Sequence, residues 1–322
     1  MNKFDVTALG ELLIDFTENG ISNSENPIFE ANPGGAPCNL LSMLSKLGKK
    51  TAFIGKVGND SFGRMLASTI EACGISTAAL KFDATTHTTL AFVHTLAEGE
   101  REFSFYRSPG ADMMLSADDV DSELIKNSKI FHFGTLSSTH DTCRTATRYA
   151  IDVAKENNVT VSFDPNLRES LWESLDDAKK EIEYGLSKCD ILKISDNELE
   201  FVTGCFDYDK GISILKESFP NIKLILLTLG KDGSRAYYKD ISAEAPTFTF
   251  IEPIEKTGAG DTFFGCALNF ILERGLDSLT KEDLISMLTF ANAGATIITT
   301  RKGALKVMPT CEEILKLSEK AK

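Results

Sequence analysis

The sequence contains no G-K-[ST] triplet, which excludes the P-loop route to nucleotide phosphates. The dinucleotide fingerprint G-x-G-x-x-G also fails. Gly258-Ala259-Gly260 begins that way, but Phe263 stands where the third glycine would fall. No C-x-x-C pair occurs among the seven scattered cysteines, and the four histidines (87, 94, 132, 140) form no cluster with metal-ligand spacing. That excludes a zinc ribbon or a disulfide framework by pattern, and the odd cysteine count points to reduced thiols in a reducing, cytoplasmic setting. Positive charge is scarce: 34 Lys and Arg against 47 Asp and Glu give a net charge of −13 and a pI near 4.9. A nucleic-acid or anionic-membrane partner is therefore not expected, and an anionic substrate would need a local basic site. No apolar run reaches membrane-spanning length, and Met-Asn-Lys-Phe-Asp reads as the start of a strand, not a signal peptide. Long linkers, low-complexity segments and internal repeats are missing too.

What is present is a soluble composition, 42% hydrophobic and 25% charged over 322 residues, enough for one large α/β domain or two ordinary ones. Short β-rich runs at Val6–Leu9, Thr51–Ile54, Lys129–Phe133, Thr160–Phe163, Ile191–Ile194 and Lys223–Thr228 alternate with amphipathic segments at Cys38–Leu47, Arg64–Ala72, Cys143–Glu156 and Ala178–Ser187. This alternation predicts a mostly parallel sheet with helices on its faces. Leu224-Ile225-Leu226-Leu227 lacks polar alternation, as expected of a strand buried on both sides. Residues 12–34 and 88–108 break the rhythm. Thr89–Thr95 and Glu102–Tyr106 alternate, with Ala97–Glu100 as a turn between them. These two segments are expected to form a small antiparallel β-sheet standing off a core of residues 1–11, 35–87 and 109–322, as a lid over a site or a dimerisation surface.

Two glycine-rich stretches carry the chemistry. Thr257-Gly258-Ala259-Gly260-Asp261-Thr262-Phe263 runs into a helix that Gly275 ends. Amides at a helix start have no internal acceptor and, with the helix dipole, make an anion site. An aspartate at its mouth would repel a phosphate, but makes sense as the acceptor of a proton from an attacking hydroxyl. Asp261 could equally be a helix cap. The second stretch is Asn32-Pro33-Gly34-Gly35-Ala36-Pro37-Cys38-Asn39. Pro37 suits a first helical turn, the glycine pair allows close approach to a ligand, and Asn39 projects a donor and an acceptor suited to sugar hydroxyls; a plain Gly-Gly turn into a helix is the alternative. Asp15, Asp164–Arg168 and Thr228–Gly233 each follow a predicted strand, where open α/β sheets bind ligands.

Taken together, these stretches resemble the two signatures of the ribokinase-like (PfkB) carbohydrate kinases, over roughly residues 4–310. The Gly-Gly-Ala-Pro-Cys-Asn form and Lys193–Glu198 are most similar to the bacterial fructokinase branch. The resemblance implies a ribokinase-like fold, ATP and Mg²⁺ as cofactors, and transfer of a phosphoryl group from ATP to a sugar, fructose to fructose 6-phosphate first among them. Asp261 resembles the general base, and Gly258, Ala259 and Gly260 the anion hole. Asp15, Gly34, Gly35 and Asn39 resemble sugar contacts, and Arg168 a cation near substrate or phosphate. Thr228, Gly230 and Gly233 resemble the nucleotide loop, and Asn292 falls in the adenine region. Glu198 matches the glutamate of an N-x-x-E motif that organises magnesium through water, with Ser195 in place of the asparagine. Glu255 and Lys256 replace an Asp-Thr pair that in many members helps bind a monovalent cation such as K⁺, and Gly303 resembles part of that loop. Phe105-Tyr106-Arg107 resembles the element that holds the substrate carboxylate in 2-keto-3-deoxygluconate kinases, the alternative activity. A non-catalytic sugar-binding regulator on the same fold is a further alternative, and a homodimer through the small sheet is the alternative to its serving as a lid alone.

Overall fold

The computed structural model describes residues 3–95 and 101–321. The first part of the chain runs β1 (Phe4–Leu9), β2 (Leu13–Ile21), β3 (Pro27–Gly34), α1 (Ala36–Lys46), β4 (Thr51–Gly58), α2 (Ser61–Ala72), β5 (Ile75–Asp83), β6 (Leu90–Thr95) and β7 (Arg101–Tyr106). It continues with α3 (Ser122–Lys126), β8 (Ser128–Gly134), α4 (Asp141–Glu156), β9 (Thr160–Asp164), α5 (Leu175–Lys188), β10 (Ile191–Ser195), α6 (Asp196–Thr203), α7 (Tyr208–Ser218) and β11 (Leu224–Thr228). The last elements are β12 (Ser234–Tyr238), β13 (Ile241–Ala245), α8 (Ala259–Arg274), α9 (Lys281–Ile298) and α10 (Cys311–Ser318).

Nine strands form one sheet in the order β13-β12-β11-β10-β9-β8-β1-β4-β5, parallel from β11 to β5 and antiparallel at β12 and β13. Helices cover both faces, as the alternation requires. β11 shows the two-sided burial: Leu224 and Leu226 join one apolar cluster with α1, α8 and α9, while Ile225 and Leu227 join the other with α4–α7. Each predicted core strand is present. β5 lies at the sheet edge, and its Ser76, Thr77 and Lys81 dilute the apolar signal that marks a buried strand.

The two segments that broke the rhythm build a separate four-stranded sheet, β3-β2-β6-β7. Its hairpins β2–β3 and β6–β7 are antiparallel, and they join through a parallel pairing of β2 with β6. The turn expected at Ala97–Glu100 lies outside the described residues. Phe16 stacks on Phe92 at 4.9 Å and meets Phe62 of α2 edge-on at 5.6 Å, which fixes this sheet against the core.

Candidate active site

The carboxyl ends of β1, β9, β10 and β11 meet on one side of the large sheet. Glu11 follows β1, Asp164 ends β9, Ser195 ends β10 and Thr228 ends β11. Above them α1 and α8 cross closely, because Gly265 presents no side chain: a Cβ there would lie 2.9 Å from the Met43 Cβ. This crossing sets the start of α1 beside the start of α8. Asn39 Nδ2 donates to Asp261 Oδ2 at 2.8 Å, so the two glycine-rich stretches meet at one hydrogen bond across the fold.

Asp261 is in the first turn of α8 and its side chain does not cap the helix. Gly258 precedes the helix with φ 76°, a left-handed conformation that glycine adopts readily. The Ala259 amide turns to the Lys256 carbonyl, which leaves the amides of Gly260 and Asp261 as the helix-start donors. Burial raises the Asp261 carboxyl above the usual range, against the Asn39 bond and the charges of Lys193 and Arg168.

These residues line a cavity of about 330 Å³. Asp15, Gly35, Asn39, Arg168, Gly258, Ala259, Gly260 and Asp261, all candidates from the sequence, line it together. Asp15 comes from β2 of the small sheet, whose Leu13, Thr17, Val93 and Phe105 also face the cavity. Burial pushes the Asp15 carboxyl up to about 7, helped by Glu255 and Asp261 and opposed by Arg168. Gly34 lies behind Asp15, where a Cβ would come 2.5 Å from its Oδ2. Gly35 takes φ 125°, and a Cβ would collide with the Glu11 carbonyl oxygen.

Among the charged lining residues, Glu11 and Lys193 carry no role in the sequence reading, and Lys256 enters it only in the cation loop. Glu11 accepts the Ala36 amide at 2.7 Å and so caps α1 from another strand end. Lys193 reaches the cavity from β10, and its Nζ donates to Asp164 at 3.1 Å. Lys256 and Ala259 line both this cavity and a second, more apolar one of about 460 Å³, walled by Phe248, Ile251, Pro253 and Ala295 together with Gly230. None of the three lies in a glycine-rich signature; only the tertiary fold brings them in. Glu11 just beyond β1 and Lys193 inside the otherwise apolar β10 were the available signals.

Several expected site residues stand elsewhere. Arg107 is buried and does not itself line the cavity: its guanidinium is committed to Asp112 at 2.7 Å, to Thr139 Oγ1 at 2.7 Å and, at 2.9 Å, to the carbonyl of Leu136, which does line it. Tyr106 is 67% exposed and packs its ring on Phe92. Asn292 is buried behind the second cavity: its amide donates to the Ala245 and Pro246 carbonyls and accepts from Ser234. A Cβ on Gly233 would strike the Ala245 carbonyl oxygen, so this glycine packs against β13. Thr228 ends β11, paired in register with Ser195 and Ser234. Ser195 caps α6, and Glu198 answers with Oε2 on the Ser195 amide and Oε1 on the Leu167 amide. Burial would raise the Glu198 carboxyl, but Lys193 and those amides outweigh it and hold it low. Gly303 donates its amide to Glu255 at 3.0 Å, and Thr257 Oγ1 donates to the same carboxylate.

A buried carboxylate, paired helix-start amides and an adjoining apolar cavity suit a phosphotransferase site on a ribokinase-like fold. The chain belongs to the pfkB family of carbohydrate kinases, whose model matches residues 3–311. It is 43% identical to Fructokinase-1 of Zea mays, covering 98% of each chain, and 45% identical to Probable fructokinase-2 of Arabidopsis thaliana, covering 97% of this chain and 95% of that one. Among solved structures it is similar to fructokinase with bound ATP from Xylella fastidiosa, with TM-score 0.89, 29% identity and 98% of each chain covered. The fructokinase of Vibrio cholerae O395 in its fructose, ADP and calcium form superposes with TM-score 0.87 at 28% identity, over 98% of this chain and 99% of that one.

Proposed function

We propose that this protein is an ATP-dependent fructokinase, converting fructose and ATP to fructose 6-phosphate and ADP. The observation that carries the reading is the Asn39–Asp261 hydrogen bond, which joins a hydroxyl-binding amide to a buried base at the mouth of a helix start. The curated relatives at 41–45% identity support the choice of sugar. Asp15, Asn39 and the Gly35 backbone would hold the sugar hydroxyls. As the sugar oxygen bonds to the terminal phosphorus, its proton passes to Asp261 and the bond to the ADP oxygen breaks. The amides of Gly260 and Asp261 would receive the charge on the phosphoryl oxygens, and Arg168 would assist from the rim.

Gly230, on the nucleotide loop, and the apolar walls of the second cavity suit a nucleotide base, with Lys256 at the seam where the polyphosphate would cross. Thr228, Gly233 and Asn292 would act by shaping that loop. Among the described residues no group of three or more His, Cys, Asp or Glu could form a metal cage, which fits a magnesium ion held chiefly by phosphates and water. When bound, magnesium neutralises polyphosphate charge, and Glu198 would orient its water. The Glu255–Gly303 contact closes the neighbouring loop by hydrogen bonds of the chain itself, so K⁺ would add little there.

Segments 12–34 and 88–108 would serve as the lid, excluding water that otherwise competes as acceptor. Its exposed Ile21, Ile28 and Tyr106 offer the surface for a second copy. No described helix is long and apolar enough to cross a membrane, and all seven cysteines are free, in keeping with a cytoplasmic enzyme.

ADP release measured over a panel of ketoses, aldoses and sugar acids tests the reading. Fructose should be preferred over 2-keto-3-deoxygluconate, since Arg107 is committed to Asp112. Preference for the acid would overturn the choice of sugar, and no turnover of any sugar would leave the sugar-binding regulator.

A further inference from the structure

Lys193 is 6% exposed, an unusual place for an ammonium group, since a buried charge is costly unless paired. It belongs to β10, whose flanking Leu192 and Ile194 point into the opposite apolar cluster, so Lys193 faces the α1 and α8 side. Asp164 at 3.1 Å accounts for one of its three donors. The pair is not sealed in the core, because Lys193 lines the cavity together with Gly258–Asp261. A methyl group on Gly260 would lie 3.4 Å from its Nζ, which sets the ammonium within reach of the helix-start amides and of anything they hold. Asp164, Glu198 and Asp261 all act on this one cation and raise its pKa against the effect of burial, so it keeps its charge. The same carboxylates would repel an incoming phosphate. Arg168 is exposed, and the buried lysine is the cation fixed in advance at the point of transfer.

We propose that Lys193 is a catalytic residue: in the ternary complex its ammonium hydrogen-bonds the transferring phosphoryl group, and Asp164 holds it in position. The lysine neither gives nor takes a proton. The sugar oxygen bonds to phosphorus, the bond to the ADP oxygen breaks, the proton goes to Asp261, and Lys193 stabilises charge on the phosphoryl oxygens throughout. This rests on the kinase reading, while the choice of sugar is immaterial to it.

Lys193→Met, Asp164→Asn and the double variant test it, with thermal melting to show that each folds. Lys193→Met should lower kcat by about 10²–10³, in line with the loss of a preorganised donor, while the sugar KM shifts less than about threefold. Its affinity for ATP should fall by more than about threefold and that for ADP by less, since the contact is to the terminal phosphoryl group, which ADP lacks. If Lys193 only neutralises Asp164, the double variant removes both charges and recovers kcat. If the lysine touches the phosphoryl group, the double variant stays as slow as Lys193→Met. The double variant also leaves no unpaired carboxylate, so it keeps the test open should Lys193→Met fail to fold. Recovery of kcat in the double variant, or wild-type kcat in folded Lys193→Met, overturns the proposal. Wild-type turnover reports separately on the kinase reading. If no sugar is phosphorylated, equal ATP and ADP affinities in wild type and Lys193→Met sink the contact by themselves.

Discussion

A single hydrogen bond decides much of the acid–base behaviour of this site. As the proposed base Asp261 would act only when deprotonated, and burial has already raised its pKa, so turnover should rise as pH rises through that pKa. The Asn39 amide favours the charged form. Removing it in Asn39→Ala should move the acid limb of the kcat profile to higher pH by about one unit or more, the equivalent of a charge-assisted hydrogen bond. An unmoved limb would mean that another group sets it. Asp15 titrates near 7 by burial, so kcat/KM for the sugar should fall as pH drops below about 7, and Asp15→Asn should flatten that fall while weakening sugar use. Asp261→Asn should cost about 10²–10⁴ in kcat, with ATP binding retained in titration. The aspartates and glycines of this chemistry were legible because loop and helix start are neighbours in sequence. Lys193 and Glu11 were not, because a lysine inside an apolar strand and a glutamate after one acquire meaning only from the elements that fold over them.

Between elements, geometry is set by what is small and what is paired. Gly265 lets α8 lie on α1, and Gly265→Val should force them apart, destabilising the fold by about 1–3 kcal/mol and separating Asn39 from Asp261. Thermal melting should show the first effect, and kcat the second at temperatures where the variant is folded. Arg107 takes a different place in the structure from the one the resemblance implies, for an equally plain reason. The resemblance of Phe105-Tyr106-Arg107 implies a cation for a substrate carboxylate, and nothing in the sequence shows that Asp112 folds back to claim it. The same Asp112 accepts from Thr89, just before β6, so both ends of the β6–β7 hairpin are tied to one carboxylate. Arg107→Ala would leave Asp112 buried beside an empty place, with a stability loss of about 3–5 kcal/mol and no change in the preference for fructose over the acid. A selective loss of acid phosphorylation would restore the arginine to the substrate. The parallel core was legible from alternation alone, whereas the edge strand β5 and the β12–β13 hairpin carry mixed polarity and gain their place from their neighbours.

On the scale of the whole molecule, the small sheet shares its residues between site and surface. Asp15 and Thr17 face inward, while Ile21 is 72% and Tyr106 67% exposed. If a second copy covers that surface, Ile21→Asp with Tyr106→Asp should halve the mass seen by light scattering; a monomeric wild type would end the idea. The pairing of β2 with β6 sets another limit. These strands run parallel, and β3, α1, β4, α2 and β5 lie between them in the chain. Neither hairpin can therefore find the other by local search. The order of folding follows: the large sheet must first gather β1, β4 and β5, and only then do Leu13–Ile21 and Leu90–Thr95 come close enough to zip. The small-sheet wall of the cavity, Leu13, Asp15, Thr17, Val93 and Phe105, is thus expected to assemble last and open first. Amide exchange at Ile14–Thr17 should be faster than in β1 or β11, and the protein should lose its sugar before it loses its core.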